Sequence, residues 1–265
     1  MKLSDILLNE IRLDLQDDNS LTVDYEKVRQ KDDAFLINGA KNSFKIQGVP
    51  TYYGISLNPA AKLADERVTD AYDNIKQFEG LDKAAVSRLV SLTLPDNKQP
   101  TLLIVIPSSA PLNAVLTQLL KTKFGLRDNQ IVTNLEKLKY YIDDMLDQDT
   151  YTKADDKTRN MADTWVRGLK KIYPSDEELP IKKSKNKETG HPGLQSGARH
   201  LLKPSFNTKT APGLKNAKIN KHIVVLDDIL VGGSTLREVY LDLMELGVNR
   251  NAIVGYTFAT KKLKE

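Results

Sequence analysis

At 265 residues and with no cysteine, the chain has room for one large α/β domain or a core with an appendage, and it has no means of making a disulfide, a thiolate nucleophile or a cysteine zinc site. Its 39 basic and 35 acidic residues leave a formal charge of +4, too thin an excess to argue nucleic-acid binding but compatible with anionic small ligands. His191, His200 and His222 are too few for a histidine metal cluster, and "MKLSDILLNEIRLDL" lacks an apolar run long enough for a secretion signal or a membrane span, so a cytoplasmic location is expected.

Residues 1–95 read as an N-terminal mixed α/β region, hood-like or accessory. Within it, "DDAFLINGAKNSFKIQG" predicts a hairpin with turn chemistry from Asn38-Gly39 and Asn42. "PAAKLADERVTDAYDNIKQFEG" predicts a helix opened by Pro59 and closed near Gly80, and residues 83–92 predict a second. The proline-bounded "PDNKQP" is the expected junction to a core spanning 96–265. That core opens with a continuous apolar strand at 102–106, a Pro/Ser/Ala turn and a helix to about Lys121; "QIVTNL" adds a short strand.

Leu135, Leu138, Ile142 and Met145, then Met161, Trp165, Leu169 and Ile172, recur at spacings of three and four, which predicts two amphipathic helices in an insertion at 135–173. Their apolar stripes are packing faces rather than cofactor contacts. From 175 to 221 periodicity collapses into a Lys-, Gly- and Pro-rich stretch, expected to be a long mobile loop. A short β-branched run, 223–226, then predicts an internal strand with Asp227 and Asp228 at its carboxyl end. Leu236, Val239, Tyr240, Leu243 and Leu246 predict the helix that follows, and "NAIVGYTFAT" a last strand. Phe258 in that strand reads as a core residue, with a place in an acceptor pocket as the alternative.

The strand-turn-helix unit carries the chemistry. Amides at a helix start have no intrahelical partner, and Gly232 and Gly233 leave them unshielded, so an anion fits there, with Ser234 and Thr235 adding hydroxyl donors. The acids suit hydroxyls or a divalent cation instead. A ribose 5-phosphate meets both needs. A merely packed turn and a nucleotidase-type magnesium site are the competing readings. Sequences of the types G-x-x-x-x-G-K-[ST] and G-x-S-x-G do not occur, and no G-x-G-x-x-G follows a strand.

"VVLDDILVGGST" resembles the phosphoribosyl pyrophosphate-binding motif of type I phosphoribosyltransferases, and the chain resembles their ComF-like members over about residues 70–265. "DNIKQFEGLDKAAVSRLV", the proline at 107 and "GYTFATKK" are similar to stretches of those proteins. The resemblance implies a central, mostly parallel sheet of the type I phosphoribosyltransferase kind. It also implies ribose hydroxyls on Asp227 and Asp228, with Mg²⁺ held there directly or through hydroxyls and water, and the 5-phosphate in a cradle of Val231, Gly232, Gly233, Ser234 and Thr235. Pyrophosphate is expected on Ser108, Ser109 and Ala110 of "IVIPSSAPLNAVLTQLL". The catalytic cation is expected from the basic loop, Arg199 first and Lys203 second, with His200 in solvent. Three departures from the family pattern are the insertion at 135–173, the absence of N-terminal zinc-binding cysteines and an unfamiliar pyrophosphate loop.

The implied activity is transfer of ribose 5-phosphate to a nitrogenous acceptor, a nucleobase in the first instance. A non-catalytic sensor of phosphoribosyl pyrophosphate or nucleotides is the second reading, and nucleic-acid contact through the lysine-rich loop the third. A homodimer is left open and no membrane partner is expected.

Overall fold

The computed structural model describes residues 12–24, 33–37, 43–58, 64–95, 99–182, 189–209, 211, 214, 222–230 and 232–260. Two strands, β1 (Arg12–Leu15) and β2 (Leu21–Asp24), form a small antiparallel hairpin of their own. Three further strands, β3 (Phe35–Ile37), β4 (Ser43–Ile46) and β5 (Val49–Leu57), enter the main sheet. β3 and β4 do not pair with each other as the sequence predicts. Each lies antiparallel to a different stretch of β5, β3 against Ile55 to Leu57 and β4 against Val49 to Tyr52. The hairpin that does form is β4–β5. Its two-residue turn is Gln47-Gly48, both at positive φ (52° and 77°), the conformation that matches strand twist. Asn38, Gly39 and Asn42 lie outside the described residues.

Two helices, α1 (Asp65–Gln77) and α2 (Lys83–Thr93), follow as predicted. α1 ends on Phe78 in the left-handed conformation, with Gly80 also at positive φ, and α2 is capped by the Asp82 carboxylate accepting from Ala85 N at 2.6 Å. Pro59 lies outside the described residues. Then come β6 (Leu102–Val105), α3 (Pro111–Phe124) and the edge strand β7 (Ile131–Val132).

The insertion is less helical than its periodicity suggests. Its first half forms two-residue strands, β8 (Glu136–Lys137) and β9 (Lys139–Tyr140), and a single 3-10 turn, Ile142–Asp144. Its second half forms α4 (Gln148–Lys153) and the amphipathic α5 (Asp156–Lys170), where Ala162, Trp165 and Leu169 are buried. Ile172 is exposed.

The expected mobile loop is in large part packed structure over 189–209. β10 (Leu179–Pro180) pairs with β9, and β11 (Phe206–Asn207) pairs with β8. Leu194, Ala198, Leu201 and Leu202, the last three on or beside a 3-10 helix at Ser196–Leu201, close a small core with Ile142, Met145, Trp165 and Leu169. Trp165 Nε1 donates to the Pro192 carbonyl at 3.0 Å. These apolar residues are too irregularly spaced to read as a helix or strand, yet burying each of the leucines gains about 1.5–3 kcal/mol. Residues 183–188, 210, 212–213 and 215–221 lie outside the described set.

The last elements are β12 (Ile223–Leu230), α6 (Ser234–Glu245) and β13 (Ile253–Thr260). The sheet order is β3-β5-β13-β12-β6-β7, with β4 also on β5, and pairing is parallel from β5 through to β7. β3, β4 and β5 are therefore part of the central sheet, which draws on both sides of the boundary expected near "PDNKQP". β12 also runs past Leu226 to Leu230, because β13 continues to pair with it as far as Thr260. Asp227 and Asp228 thus stand within that strand, beyond the point where its other neighbour, β6, has ended.

Helices cover both faces. α3 packs with α1 and α2 over Leu103, Val105, Val224 and Leu226, and α6 packs over Ile104, Val225 and Ile253. From β12 the chain crosses through α6 to β13 on one side, and from β6 through α3 to β7 on the other. The β6/β12 seam is a topological switch point, where open α/β sheets form a ligand crevice at their carboxyl edge. Among the described residues no helix is long and apolar enough to cross a membrane.

Candidate functional site

The last main-chain bond of the seam runs from Ile106 N to Leu226 O at 2.9 Å. Pro107 cannot extend the ladder, so the β6 chain turns away and opens a cleft of about 270 Å³. Its walls include Pro107 and Ser108 on one side, Asp227 and Asp228 at the floor, and Gly232, Gly233, Ser234 and Thr235 on the other. Asn113 of α3 holds the departing strand by donating from Nδ2 to the Ile106 carbonyl at 3.0 Å.

Asp228 is 6% exposed and well held: Ser108 Oγ donates to its Oδ2 at 2.7 Å and Ile229 N to its Oδ1 at 2.6 Å. Thr257 on β13 donates from Oγ1 to the Asp228 carbonyl at 3.1 Å. Asp227 is half-buried and accepts from Asp228 N at 3.1 Å. Burial, and after it the Asp228 carboxylate, pushes the Asp227 pKa up to about 8, against an opposing pull from the Asp228 N–H and from Lys76.

The N-terminus of α6 lines the cleft with this pair, whereas no residue of α3 does. α3 starts after Ala110 with Pro111 in its first turn, and α6 starts after Gly233; neither has a side-chain cap. Gly233 sits at φ 72°, and a Cβ there would lie 3.0 Å from Ile46 Cδ1. Backbone conformation calls for glycine here, and Ile46 Cδ1 would have to give by a few tenths of an ångström to admit a Cβ.

All but one of the predicted site residues lie among the described residues. Asp227, Asp228, Ser108, Gly232, Gly233, Ser234, Thr235 and Arg199 all line the one cleft. Ser109 is exposed and Ala110 buried, and neither lines it. Val231 lies outside the described residues. Arg199 is positioned by donating from Nε to the Leu194 carbonyl at 3.0 Å, and burial lowers its pKa. Lys203 is not in the cleft. Its Nζ stands 5.3 Å over the Tyr140 ring, in an adjoining groove, although Arg199 before it and Ser205 after it line the cleft. His200 is exposed, as expected, and Phe258 is fully buried in the core rather than in a pocket.

Three cleft residues escape the sequence reading, Lys76, Ile181 and Ser205, while Phe206 is the phenylalanine of "QSGARHLLKPSF", a stretch similar to the family's flexible loop. Lys76 is placed by α1, where Tyr72, one turn earlier, donates to the Thr260 carbonyl at 2.6 Å. Its signal lay in "DNIKQFEG", which carries no role on spacing alone. Ser205 is 6% exposed and its hydroxyl, alone in this cleft wall, has no partner among the described residues. No composition or periodicity marks it.

No family model, curated protein or solved structure matches this chain.

The cleft's chemistry rests on its own residues. Hydroxyl or cation partners suit the acids, an anion suits the start of α6, and Lys76 and Arg199 add positive charge. A larger open groove of about 580 Å³ on the insertion, lined by Lys157, Asn160, Trp165 and Pro192 among others, shares no residue with this cleft and holds no carboxylate. Among the described residues no group of three or more acids and histidines could cage a metal.

Proposed function

We propose that the protein is a phosphoribosyltransferase, passing ribose 5-phosphate from phosphoribosyl pyrophosphate to a nitrogenous acceptor. One observation carries the reading: an acidic pair stands at a topological switch point, in one cleft with the uncapped N-terminus of α6 and with Ser108 of the opposite loop. Phosphoribosyl pyrophosphate has the matching order of groups, a diol between two phosphate ends. The 5-phosphate falls to Gly232, Gly233, Ser234 and Thr235, the ribose hydroxyls to Asp227 and Asp228, and the pyrophosphate to the Ser108 side. The resemblance of "VVLDDILVGGST" to the family motif supports the same assignment.

In the reaction the acceptor nitrogen forms a bond to ribose carbon 1 while the bond from that carbon to the pyrophosphate oxygen breaks. Pyrophosphate leaves with the electron pair, and the acceptor's displaced proton goes to solvent. Positive charge grows on the sugar, so the acidic pair, with Asp227 giving up its proton when a cation binds beside it, stabilises the transition state more than the ground state. Arg199 and Lys76 offset the charge released on pyrophosphate. Two carboxylates without a third protein ligand fit Mg²⁺, which retains waters and takes further oxygens from substrate phosphates; it would supply charge neutralisation on the leaving group.

A pyrophosphate-release assay over a panel of nucleobases tests the proposal and identifies the acceptor. Release with at least one base supports it. Tight Mg²⁺-dependent binding of phosphoribosyl pyrophosphate with no release for any base leaves the sensor reading in its place, and no binding overturns both.

A further inference from the structure

Arg199 does not belong to the sheet that carries the acids. It begins a strap, 199–207, that is bound to the insertion. Asp147 N donates to the Leu201 carbonyl at 2.8 Å, Lys203 N to the Met145 carbonyl at 2.9 Å and Leu138 N to the Ser205 carbonyl at 3.1 Å. Tyr140 Oη donates to the Pro204 carbonyl at 3.0 Å. With Leu201 and Leu202 also in the insertion's small core, strap and insertion form one packed unit. Where Arg199 stands in the cleft therefore depends on how this unit is set against α6.

Apolar contact joins the unit to the sheet domain: Leu135 and Phe206 are buried in the cluster that contains Leu236 and Val239 of α6. Such contact is non-directional and does not by itself fix position. Glu238 of α6 adds direction. Its Oε1 accepts from Ser205 N and from Phe206 N, the latter at 2.8 Å. One carboxylate oxygen shared by two consecutive amides sets both the place and the orientation of the backbone there, through charge-assisted bonds about twice as strong as neutral ones.

Glu238 follows Ser234 by four residues, so the two share a face of α6. Ser234, Ser205, Phe206 and Arg199 all line the cleft, and Glu238 does not. One helix thus offers the proposed 5-phosphate cradle at its start and, a turn later, a grip on the strap that carries Arg199.

We infer that Glu238 is a positioning residue for the proposed transfer: through the Ser205 and Phe206 amides it sets Arg199 in its place at the cleft. The role in transfer rests on the phosphoribosyltransferase reading, whereas the grip on the strap rests on the contacts alone.

The test measures pyrophosphate release by the full chain, with ribose 5-phosphate affinity as the control for the cradle. Glu238→Ala should lower kcat by about tenfold or more while ribose 5-phosphate affinity stays within about twofold. Glu238→Gln keeps a carbonyl acceptor for the two amides and should restore kcat to within about threefold of the parent. Arg199→Gln should itself lower kcat, and adding Glu238→Ala to it should cost less than about twofold more, because the group being placed is gone. Unchanged kcat in Glu238→Ala, no recovery in Glu238→Gln, or equal losses with and without Arg199 overturn the inference. Should Glu238→Ala fail to fold, Glu238→Asp takes its place in the same cycle, its carboxylate one methylene short of the amides. A parent that releases no pyrophosphate with any base removes the reading and the role in transfer together, and amide exchange then decides the grip. The Ser205 and Phe206 amides should exchange at least about tenfold faster in Glu238→Ala or Glu238→Asp than in the parent, with Val225 and Leu226 of β12 unchanged. Exchange at the parent's rate overturns the grip as well.

Discussion

Ser108 Oγ donates to Asp228 Oδ2 at 2.7 Å, bridging the two strands of the seam just beyond their last main-chain hydrogen bond, Ile106 N to Leu226 O. The same hydroxyl accepts from Ala110 N at 3.1 Å, so one side chain sets both the loop that opens the cleft and the acid at its floor. Ser108→Ala removes a hydrogen bond to a charged group and leaves the Asp228 oxygen to water. The expected loss is about 1–2 kcal/mol of stability in urea denaturation, with the fold retained and ligand affinity reduced because Asp228 is no longer oriented. A variant as stable as the parent would show that the bond contributes nothing.

Asp227 supplies a pH prediction. Its folded pKa lies near 8 against 3.8 for the free side chain, so the folded state holds a proton that the unfolded chain releases. Stability from this group is therefore full below about pH 4 and is lost as pH rises toward 8. Asp227→Asn mimics the protonated form and removes that slope. In metal-free buffer the difference in stability between variant and parent should grow in the variant's favour across this window and level off above it. A difference that is flat with pH contradicts the raised pKa.

Gly233→Ala tests the cradle. At φ 72° an alanine costs about 1–2 kcal/mol in backbone strain, and its Cβ also presses on Ile46 Cδ1 at 3.0 Å. Because Gly233 immediately precedes α6, the displaced atoms are the ones that the proposed function offers to a 5-phosphate. Ribose 5-phosphate affinity measured by calorimetry should fall by at least about tenfold while circular dichroism stays unchanged. Unaltered affinity would take the anion away from this turn.

The acids, the glycines and the apolar rhythm of α3, α6, β6 and β13 were legible because each feature is local: periodicity and turn chemistry act over a few residues. What was missed is non-local. The end of β12 was placed at Leu226 because two aspartates interrupt its apolar run, yet pairing with β13 carries the strand to Leu230. Leu135, Leu138, Ile142 and Met145 keep helical spacing, yet β8 and β9 take their pairings from β11 and β10, more than thirty residues away. Leu194, Ala198, Leu201 and Leu202 show no period at all, because Trp165 and Met145 select them by shape. Lys76, on a helix far from the motif in sequence, reaches Asp227 only through the order of the strands.

Gly255 tests whether the seam's support is as tightly packed as the fold implies. It lies on β13 beside Val225 of β12, and a Cβ there would stand 1.8 Å from Tyr240 Oη and 2.8 Å from Thr51 Oγ1. Those two oxygens are hydrogen-bonded to each other at 3.0 Å in the core, where burial drives the Tyr240 pKa upward, and Tyr240 belongs to the helix whose first turn forms the cradle. Gly255→Ala must push α6 from the sheet or expel the tyrosine ring, at a cost of about 3 kcal/mol or more, and cradle and cleft should be lost together. Tyr240→Phe alone should cost about 1 kcal/mol, the worth of a buried hydrogen bond. Adding Tyr240→Phe to Gly255→Ala removes the clashing oxygen, so the double variant should be more stable than Gly255→Ala, a positive coupling in a denaturation cycle. Strict additivity would mean that the two residues do not meet and that α6 is held to the sheet by other contacts.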